Sequence, residues 1–530
     1  MNDDVTNDFQ FAGQDVPWLL ALWATNSPDK PVLIWEPRSG NTRTWTYKEF
    51  YDQVRGLAAG LAQRGVNKGD RVLIHSDNSP EMVLAWYACA ALGAVGVTTN
   101  TRSVAAEITY FAEKANCVVA ITQPQYARLV AGAAPDLRWI AVTEDNGGEA
   151  PHPEESLEGA VAFAELFEDP SSFVPRPAEP MLPVGIVFTS GTTSRPKAVV
   201  HTHANVLWAS RVGPLNIAFS GDDTYLIYLP FFHVNAQSWS MWSVLGVGGT
   251  VVLQPKFSAS RFWEVIMRHG VTHFSVIPFV FKAIAGQPIP AHRLKVGVFG
   301  AITTPLESML GCRILPAFGM TETVTHATRA DPWQTYPEGS MGKPTPGYEC
   351  AIVNDDGEQC PPGEIGELWF RGTRGIQLFL EYLHDPEATS RAFTEDGWFK
   401  TGDRVRWGEG GNIFYCERDK DVLKVGGENV SAREVEDICR QVPGVTEVAV
   451  VARGDDMLGE VAVAFVIKGT TTEGEQEAIR TKILELCQAN LADFKVPRDV
   501  YFVDDFPRAT LDKVAKNQLR EIADAMVAAQ

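Results

Sequence analysis

DRVLIHSDNSPEMVLAWYACAALGAVGVTTN, Asp70–Asn100, is the stretch on which the fold turns. DRVLIHS (Asp70–Ser76) reads as a strand, SPEMVLAWYACAALG (Ser79–Gly93) as the helix after it, and VGVTTN (Val95–Asn100) as the next strand. NCVVAIT and RWIAVT are further strand candidates, and the same rhythm returns between Val184 and Val298. Repeated β-α units are best satisfied by a mostly covered sheet, so an α/β protein with a large multi-layer body is expected. Pro151–Pro153 and Pro175–Pro183 mark surface excursions, and no internal repeat is evident.

A chain of 530 residues exceeds one ordinary core, so two or more domains are expected. At 45% hydrophobic and 21% charged residues the composition is globular; disorder would need far less apolar surface to bury. The net charge of −20 repels polyanions. It disfavours nucleic acid or an anionic membrane as the main partner and leaves room for a local basic patch that takes a small anion. MNDDVTNDFQF at the start has no basic-then-apolar signal pattern. The longest apolar stretches, around Met82–Thr99 and Ala236–Leu253, are interrupted in the manner of buried helices and strands. Eight cysteines without CxxC spacing fit a reducing cytoplasm and nominate neither a metal site nor a nucleophile.

The character of the chain changes near Glu417–Asp421. Before it lie the glycine-rich strand segments EIGELWFRGTRG and GWFKTGDRVRW. After it SAREVEDICRQ, VTEVAVVARG, EVAVAFVIKG and a long helical segment, Glu475–Leu491, alternate. An N-terminal body over residues 1–417 is therefore expected, followed by a mobile α+β module over 418–530 with a hinge near Lys420. At about 110 residues the module has the size of a separately folding unit. The charged RDKD run reads equally as a solvated turn.

FTSGTTSRPKAVVHTH, Phe188–His203, interrupts the strand VGIVF with hydroxyls, one glycine and a lysine. Gly191 gives backbone freedom, Thr189, Ser190, Thr192 and Thr193 can donate to phosphate oxygens, and Lys197 can offset their charge. A P-loop would need GxxxxGK[ST] followed by a helix, and neither is present. On its own the segment also reads as a polar surface turn.

The segment resembles the phosphate loop of adenylate-forming enzymes, the superfamily holding acyl-CoA synthetases, nonribosomal peptide adenylation domains and luciferase, whose common form is TSGTTGxPKG. PFFHVNAQ (Pro230–Gln237), AFGMTETV (Ala317–Val324), GWFKTGD (Gly397–Asp403), ERDKDVLKVGGENVSAREVE (Glu417–Glu436) and FPRATLDKVAKNQLR (Phe506–Arg520) stand in the family's order and approximate spacing. The resemblance covers nearly the whole chain. It implies two steps in one site: a carboxylate attacks the α-phosphate of ATP to give acyl-adenylate and pyrophosphate, and a thiol, usually of coenzyme A, then displaces AMP. Two anions must meet in the first step, so preorganised positive and hydrogen-bonding groups matter most at the transition state.

Position by position, the resemblance implies that Thr189, Ser190, Gly191, Thr192, Thr193 and Lys197 enclose the β- and γ-phosphates. Thr321 would touch the α-phosphate and Glu322 would help hold Mg²⁺, an ion otherwise satisfied by water and phosphate oxygens. Phe318, with Gly319 after it, corresponds to one adenine wall. The Gly300, Ala301 and Ile302 backbone corresponds to the other, although GAITTP departs from the family's glycine-alanine-proline run. Asp403 would accept from both ribose hydroxyls, with Arg418 near the ribose or phosphate. His233 would line the acyl pocket near the reacting carboxylate; it need not be a general base, because that carboxylate is already ionised near pH 7. His201 and His203 read as strand-end residues. Lys513 stands where the PRxxxGK motif has its adenylation lysine, and would bridge carboxylate and α-phosphate once the small domain closes. Lys516 and Arg520 read as a solvated face. For the second step Lys420 would be the hinge and Lys424 part of the nearby loop. Gly426 and Gly427 of VGGEN (Val425–Asn429) would let a pantetheine arm pass close to backbone.

Ser194 and Ala198 replace usual glycines, Ala432 a proline, and Leu511–Asp512 a serine-glycine pair before the lysine. The acyl pocket is expected from Phe232–Gln237, Ser275–Phe281, Gly300–Thr304 and Met320–Thr325. Asn235 and Gln237 permit a polar or oxygenated acid, and the aromatics an aryl or alicyclic one. The tone resembles the carnitine-like, medium-chain and aryl acyl-CoA ligase branches. The expected function is ligation of CoA to a non-amino carboxylic acid with ATP, Mg²⁺ and coenzyme A, in the cytoplasm, without nucleic acid or stable membrane insertion; a homodimer is left open. Two alternatives stand: an enzyme loading an acyl-carrier-protein thiol, and a non-catalytic protein that binds nucleotide and acyl ligand.

Overall fold

The computed structural model describes residues 3–189, 195–418, 422–468, 475–507 and 514–528. Asp70–Asn100 folds as strand Arg71–His75, helix Pro80–Leu92 and strand Val95–Thr98. The helix starts where Ser79 Oγ accepts the Met82 N–H at 3.1 Å and Pro80 fills the first helical position, and it stops at Gly93, whose φ is 83°. Met82–Ala91 are all buried, because helix Tyr47–Gln63 covers one side and the sheet the other. Trp86 sits so close to the sheet that a Cβ on Gly96 would come within 2.7 Å of its indole.

Two large sheets form the N-terminal body. The eight-stranded sheet runs Glu381–Tyr382, Lys197–Thr202, Pro183–Thr189, Val95–Thr98, Arg71–His75, Cys117–Thr122, Ile140–Val142, Val161–Ala162. It is parallel from Pro183–Thr189 onward and antiparallel at its first two pairings. The seven-stranded sheet runs Arg313–Pro316, Val296–Phe299, His273–Ser275, Thr224–Ile227, Thr250–Leu253, Pro31–Trp35, Arg43–Thr46, antiparallel only at its last pair. Parallel strands joined by helical crossovers end up covered on both faces, as the β-α rhythm of the sequence implies. An antiparallel four-stranded sheet, Glu349–Val353, Ile365–Arg371, Trp398–Trp407 and Ile413–Arg418, follows.

A smaller α+β body begins after it. Its five-stranded sheet contains Val422–Val425, Glu428–Ser431, Val445–Asp455, Gly459–Lys468 and Asp499–Val503. Side chains alternate along Val445–Asp455: Val448, Val450 and Ala452 pack with helices Ala432–Cys439 and Glu475–Asn490, whereas Ala449 and Val451 pack with Lys516–Ala528. Among the described residues, hydrophobic clusters built from Leu423 onward share no member with those built up to Ile413. No described helix is long and apolar enough to cross a membrane.

Two expectations are corrected. His203 is the first residue of helix His203–Asn216, buried, with Nδ1 accepting the Val16 N–H at 3.3 Å. Lys516 and Arg520 do not form a solvated face: Lys516 Nζ lies 2.7 Å from Glu436 Oε1 with its side chain 17% exposed, and Arg520 Nε is buried. The helix lies along the sheet, so these long side chains run inward over the core edge.

One helix crossing bears directly on the site. His203–Asn216 meets the helical run Asn235–Val247 at glycines: a Cβ on Gly213 would stand 2.0 Å from Ser243 Oγ, and one on Gly246 1.7 Å from the Ser210 carbonyl oxygen. Gly246→Ala is expected to cost about 1–3 kcal/mol through overpacking against backbone that cannot yield. Gly132→Ala, on a helix with no neighbouring atom within 4 Å, is expected to leave stability unchanged or raise it by up to about 1 kcal/mol. Chemical denaturation followed by tryptophan fluorescence compares the two; equal stabilities would contradict the close crossing.

Candidate active site

Strands Pro183–Thr189 and Lys197–Thr202 pair antiparallel with Thr189 opposite Lys197. Thr189 is half-buried at the strand end; Ser190, Gly191, Thr192 and Thr193 of the loop lie outside the described residues. Lys197 Nζ sits 4.4 Å from the centroid of the Tyr382 ring, and Tyr382 OH donates to Glu322 Oε1 at 2.8 Å. Burial, with the Glu322 carboxylate beside it, holds the Tyr382 phenol well above its ordinary range, so it keeps the proton it donates. A cavity of about 180 Å³ adjoins Lys197, lined also by Tyr110, Lys114, Arg195, Tyr382 and Asp385. Nothing local in EYLHDPEA marks Tyr382; it reaches the site because Glu381–Tyr382 pairs with Val199 and Val200 across the sheet edge.

Thr321 and Glu322 form a buried 3₁₀ turn with Thr323. His201 Nε2–H donates to the Thr321 carbonyl at 2.8 Å, and burial pushes this imidazole down to about 4, so it is a neutral support for the turn. Phe318 is half-buried and stacks on Phe370 with centroids 6.2 Å apart. Gly319 admits no side chain: a Cβ there would come 2.8 Å from both the Thr325 carbonyl oxygen and the Trp239 ring. Gly300 and Ala301 follow strand Val296–Phe299, Gly300 exposed with no atom within 4 Å of an added Cβ. Asp403 is buried on Trp398–Trp407 and stands opposite Arg418 of the following strand in the antiparallel ladder.

Val422–Val425 and Glu428–Ser431 form a hairpin closed by Gly426 and Gly427, at φ 60° and 92°. Positive φ at both loop positions is what a tight two-residue turn requires and what glycine supplies. Lys424, expected in a loop, lies instead on the first strand opposite Asn429, where its backbone N–H donates to Glu460 Oε2 at 2.6 Å. The hairpin tip is docked on the large body: a Cβ on Gly427 would stand 2.9 Å from Ile277 Cδ1, and Glu428 Oε2 lies 2.9 Å from His233 Nε2. Burial opposes the His233 charge, but the Glu428 carboxylate outweighs it and holds the imidazole above its ordinary value. Burial likewise opposes the Glu428 charge, and His233 holds that carboxyl below its usual range. Glu428 was invisible as a site residue in the sequence, where it is one more acidic residue of GGENVS. Lys420 and Lys513 lie outside the described residues.

Beyond His233 the helix Asn235–Trp242 is π-helical, a geometry often found at functional sites. Gln237 is committed to the framework, its Nε2 donating to Thr98 Oγ1 at 2.9 Å and to the Phe231 carbonyl at 2.7 Å. Asn235 Oδ1, Trp239 Nε1, Thr325 Oγ1 and both ring nitrogens of His326 are buried without a hydrogen-bond partner among the described residues. The Trp239 and His326 rings are 4.7 Å apart, and burial pushes His326 down to about 3, so it is neutral. Each such atom costs about 1–3 kcal/mol until a water or ligand meets it. His326 lies one residue past the Met320–Thr325 segment expected to line the pocket, and sequence reasoning passed over it.

Residues 20–383 match the AMP-binding enzyme family and residues 434–513 match the AMP-binding enzyme C-terminal domain. The crotonobetaine/carnitine–CoA ligase of Salmonella paratyphi A is 31% identical over 509 residues, spanning 93% of this chain and 96% of that protein. The o-succinylbenzoate CoA synthetase of Bacillus subtilis is 26% identical in two solved forms, each matched over 95% of this chain and 98% of its own. A double mutant bound with its product analogue OSB-NCoA has a TM-score of 0.80, and the complex with AMP a TM-score of 0.65. The family matches and the near full-length relatives thus show that this chain, with its large α/β body and smaller α+β body, belongs to the AMP-binding, adenylate-forming enzymes, activating a carboxylic acid through an acyl-adenylate.

Proposed function

We propose that the enzyme is an AMP-forming acid–thiol ligase that passes the acyl group of its adenylate to coenzyme A. The observation that carries this reading is the Gly426–Gly427 hairpin seated against Ile277, with Glu428 bonded to His233. Flexible glycine backbone at that place suits a narrow arm entering toward the acyl carbon. The higher TM-score to the B. subtilis enzyme holding OSB-NCoA than to the same enzyme holding AMP supports an arrangement suited to the second half-reaction. Similarity to crotonobetaine/carnitine–CoA ligase over nearly the full chain supports CoA as acceptor.

In the first half-reaction a carboxylate oxygen bonds the α-phosphorus while the α–β bridging oxygen leaves with pyrophosphate. Thr189, Ser190, Gly191, Thr192, Thr193 and Lys197 take the outgoing phosphates, Thr321 the α-phosphate, and Lys513 both reacting oxygens. Phe318, Gly319, Gly300 and Ala301 enclose the adenine, and Asp403 and Arg418 hold the ribose. Glu322 fits a Mg²⁺ ion: Tyr382 engages Oε1, leaving Oε2 as the oxygen an ion would use, and no cluster of three ligand side chains competes among the described residues. Such an ion supplies positive charge to phosphate oxygens.

For the second half-reaction the small body turns about Lys420 and brings Lys424, Gly426 and Gly427 to the site. The thiol gives its proton to water, its sulfur bonds the acyl carbon, the carbon–oxygen bond to phosphate breaks, and AMP leaves with the electron pair. His233, oriented by Glu428, lines the acyl group. The buried polar atoms of Asn235, Trp239, Thr325 and His326 favour an acid that carries a further hydrogen-bonding group.

A panel of carboxylic acids incubated with ATP, Mg²⁺ and CoA, read by product mass, is expected to yield an acyl-CoA for acids of this kind. Pyrophosphate release without CoA thioester would point instead to a carrier-protein thiol. Lys513→Ala is expected to slow adenylate formation at least about a hundredfold while sparing transfer from supplied acyl-adenylate; equal losses would remove the assignment. In Glu428→Gln the carboxylate that raises His233 is gone, so its titration, followed by NMR, is expected to move to lower pH. The native pair holds its imidazolium until pH rises through that raised value; an unchanged titration in the variant would refute the pairing.

A further inference from the structure

A second polar contact joins the two bodies, away from the reacting groups. Lys495 closes the 3₁₀ turn Asp493–Lys495 of the small body, and its side chain is only 7% exposed. Its Nζ lies 3.0 Å from Glu434 Oε1, within the same body, and 2.5 Å from Oε1 of Glu107, on helix Ala105–Ala115 of the large body. Both carboxylates are as buried as the ammonium. Burial alone would lower Lys495, but Glu434 and Glu107 outweigh it and hold the ammonium above its ordinary range. Taking an ion out of water costs several kcal/mol unless its partners are close and well placed. Here half of the compensation comes from across the interface.

We propose that Glu107 is a positioning residue for thioester formation: by receiving Lys495 it holds the small body where the Gly426–Gly427 hairpin meets His233. This rests on the acid–thiol ligase reading. Glu434 keeps Lys495 paired whatever the placement of the small body, so the module does not depend on Glu107 for its own fold. Glu107, by contrast, finds its buried cation only in this arrangement. Any rotation that withdraws the hairpin pulls Lys495 off Glu107 and opens the triad to water, so the carboxylate acts on the balance between arrangements and touches no reacting atom. The nearby Arg102–Asp493 pair, 2.6 Å, is exposed on both sides and adds little discrimination.

The variant is chosen to remove charge alone. Glu107 Oε2 also accepts the Val104 N–H at 3.1 Å, the helix-start bond that a glutamine at the same position can make. In full-length Glu107→Gln, acid-dependent ATP–pyrophosphate exchange is expected to stay within about twofold of native, while kcat for transfer from supplied acyl-adenylate to CoA falls about tenfold, a coupling of ordinary size. The KM for CoA is expected to change little, and Glu107→Asp to recover part of the loss. A thiol-independent readout accompanies the kinetics: energy transfer between fluorescent unnatural residues at exposed Gln63 and Gln488, measured without substrates, is expected to shift in Glu107→Gln. Unchanged energy transfer, or equal losses in both half-reactions, overturns the proposal. If native protein acylates no CoA but the shift in energy transfer appears, the choice of thiol is wrong and the positioning role of Glu107 stands.

Discussion

The antiparallel pairing of Pro183–Thr189 with Lys197–Thr202 is the constraint on which the site depends. In a sheet that is parallel from Pro183–Thr189 onward, it turns the chain straight back, so the hydroxyl-rich loop has its ends fixed with Thr189 facing Lys197. The returning strand then uses its other edge for Glu381–Tyr382, which sets Tyr382 under the Lys197 ammonium and against Glu322. From the same strand His201 supports the Thr321 carbonyl. Four segments scattered over nearly two hundred positions are thereby tied to one ladder of backbone hydrogen bonds. Removing that ladder would scatter the site without touching any of its side chains.

Much of this was legible in the sequence, and the limit has a physical cause. Asp70–Asn100 could be read to within a residue or two at each end, because serine, proline and glycine set the helix boundaries through local bonds and local φ. TSGTT, MTET, TGD and VGGEN could be recognised as strings because their unusual content is contiguous. Who faces whom was not legible. Tyr382, Glu428, Glu107 and Lys495 enter through strand register or body-to-body contact, and no short-range pattern encodes either. His203 and Lys516 were misread for a related reason: a polar residue at the end of a pattern looks solvated until the element that covers it is known.

The interface between the bodies departs from the apolar cores on either side of it. The hydrophobic clusters stop at Ile413 and resume at Leu423, and among the described residues the contacts that cross are largely polar: His233 with Glu428, Lys495 with Glu107, Arg102 with Asp493 and Lys282 with the Asp456 carbonyl, beside the touch of Gly427 on Ile277. An apolar seam would gain free energy roughly in proportion to area and would hold one arrangement firmly. Paired charges are nearly balanced between burial and hydration, which lets such a seam open at modest cost and close with specific register. On the proposed acid–thiol ligase reading one cleft is lined first for phosphate and then for a thiol, and a weak and specific seam is the more useful kind.

The contact between Gly427 and Ile277 has a mechanical side. With 2.9 Å between the Ile277 terminal methyl carbon and an imagined Cβ on Gly427, the hairpin tip rests directly on the large body, with no room for a side chain at that glycine. Displacements close to a pivot are magnified at the far rim of a lever. A methylene more or less at position 277 would therefore tilt the small body about this contact, felt least at the hairpin and most on its outer helices.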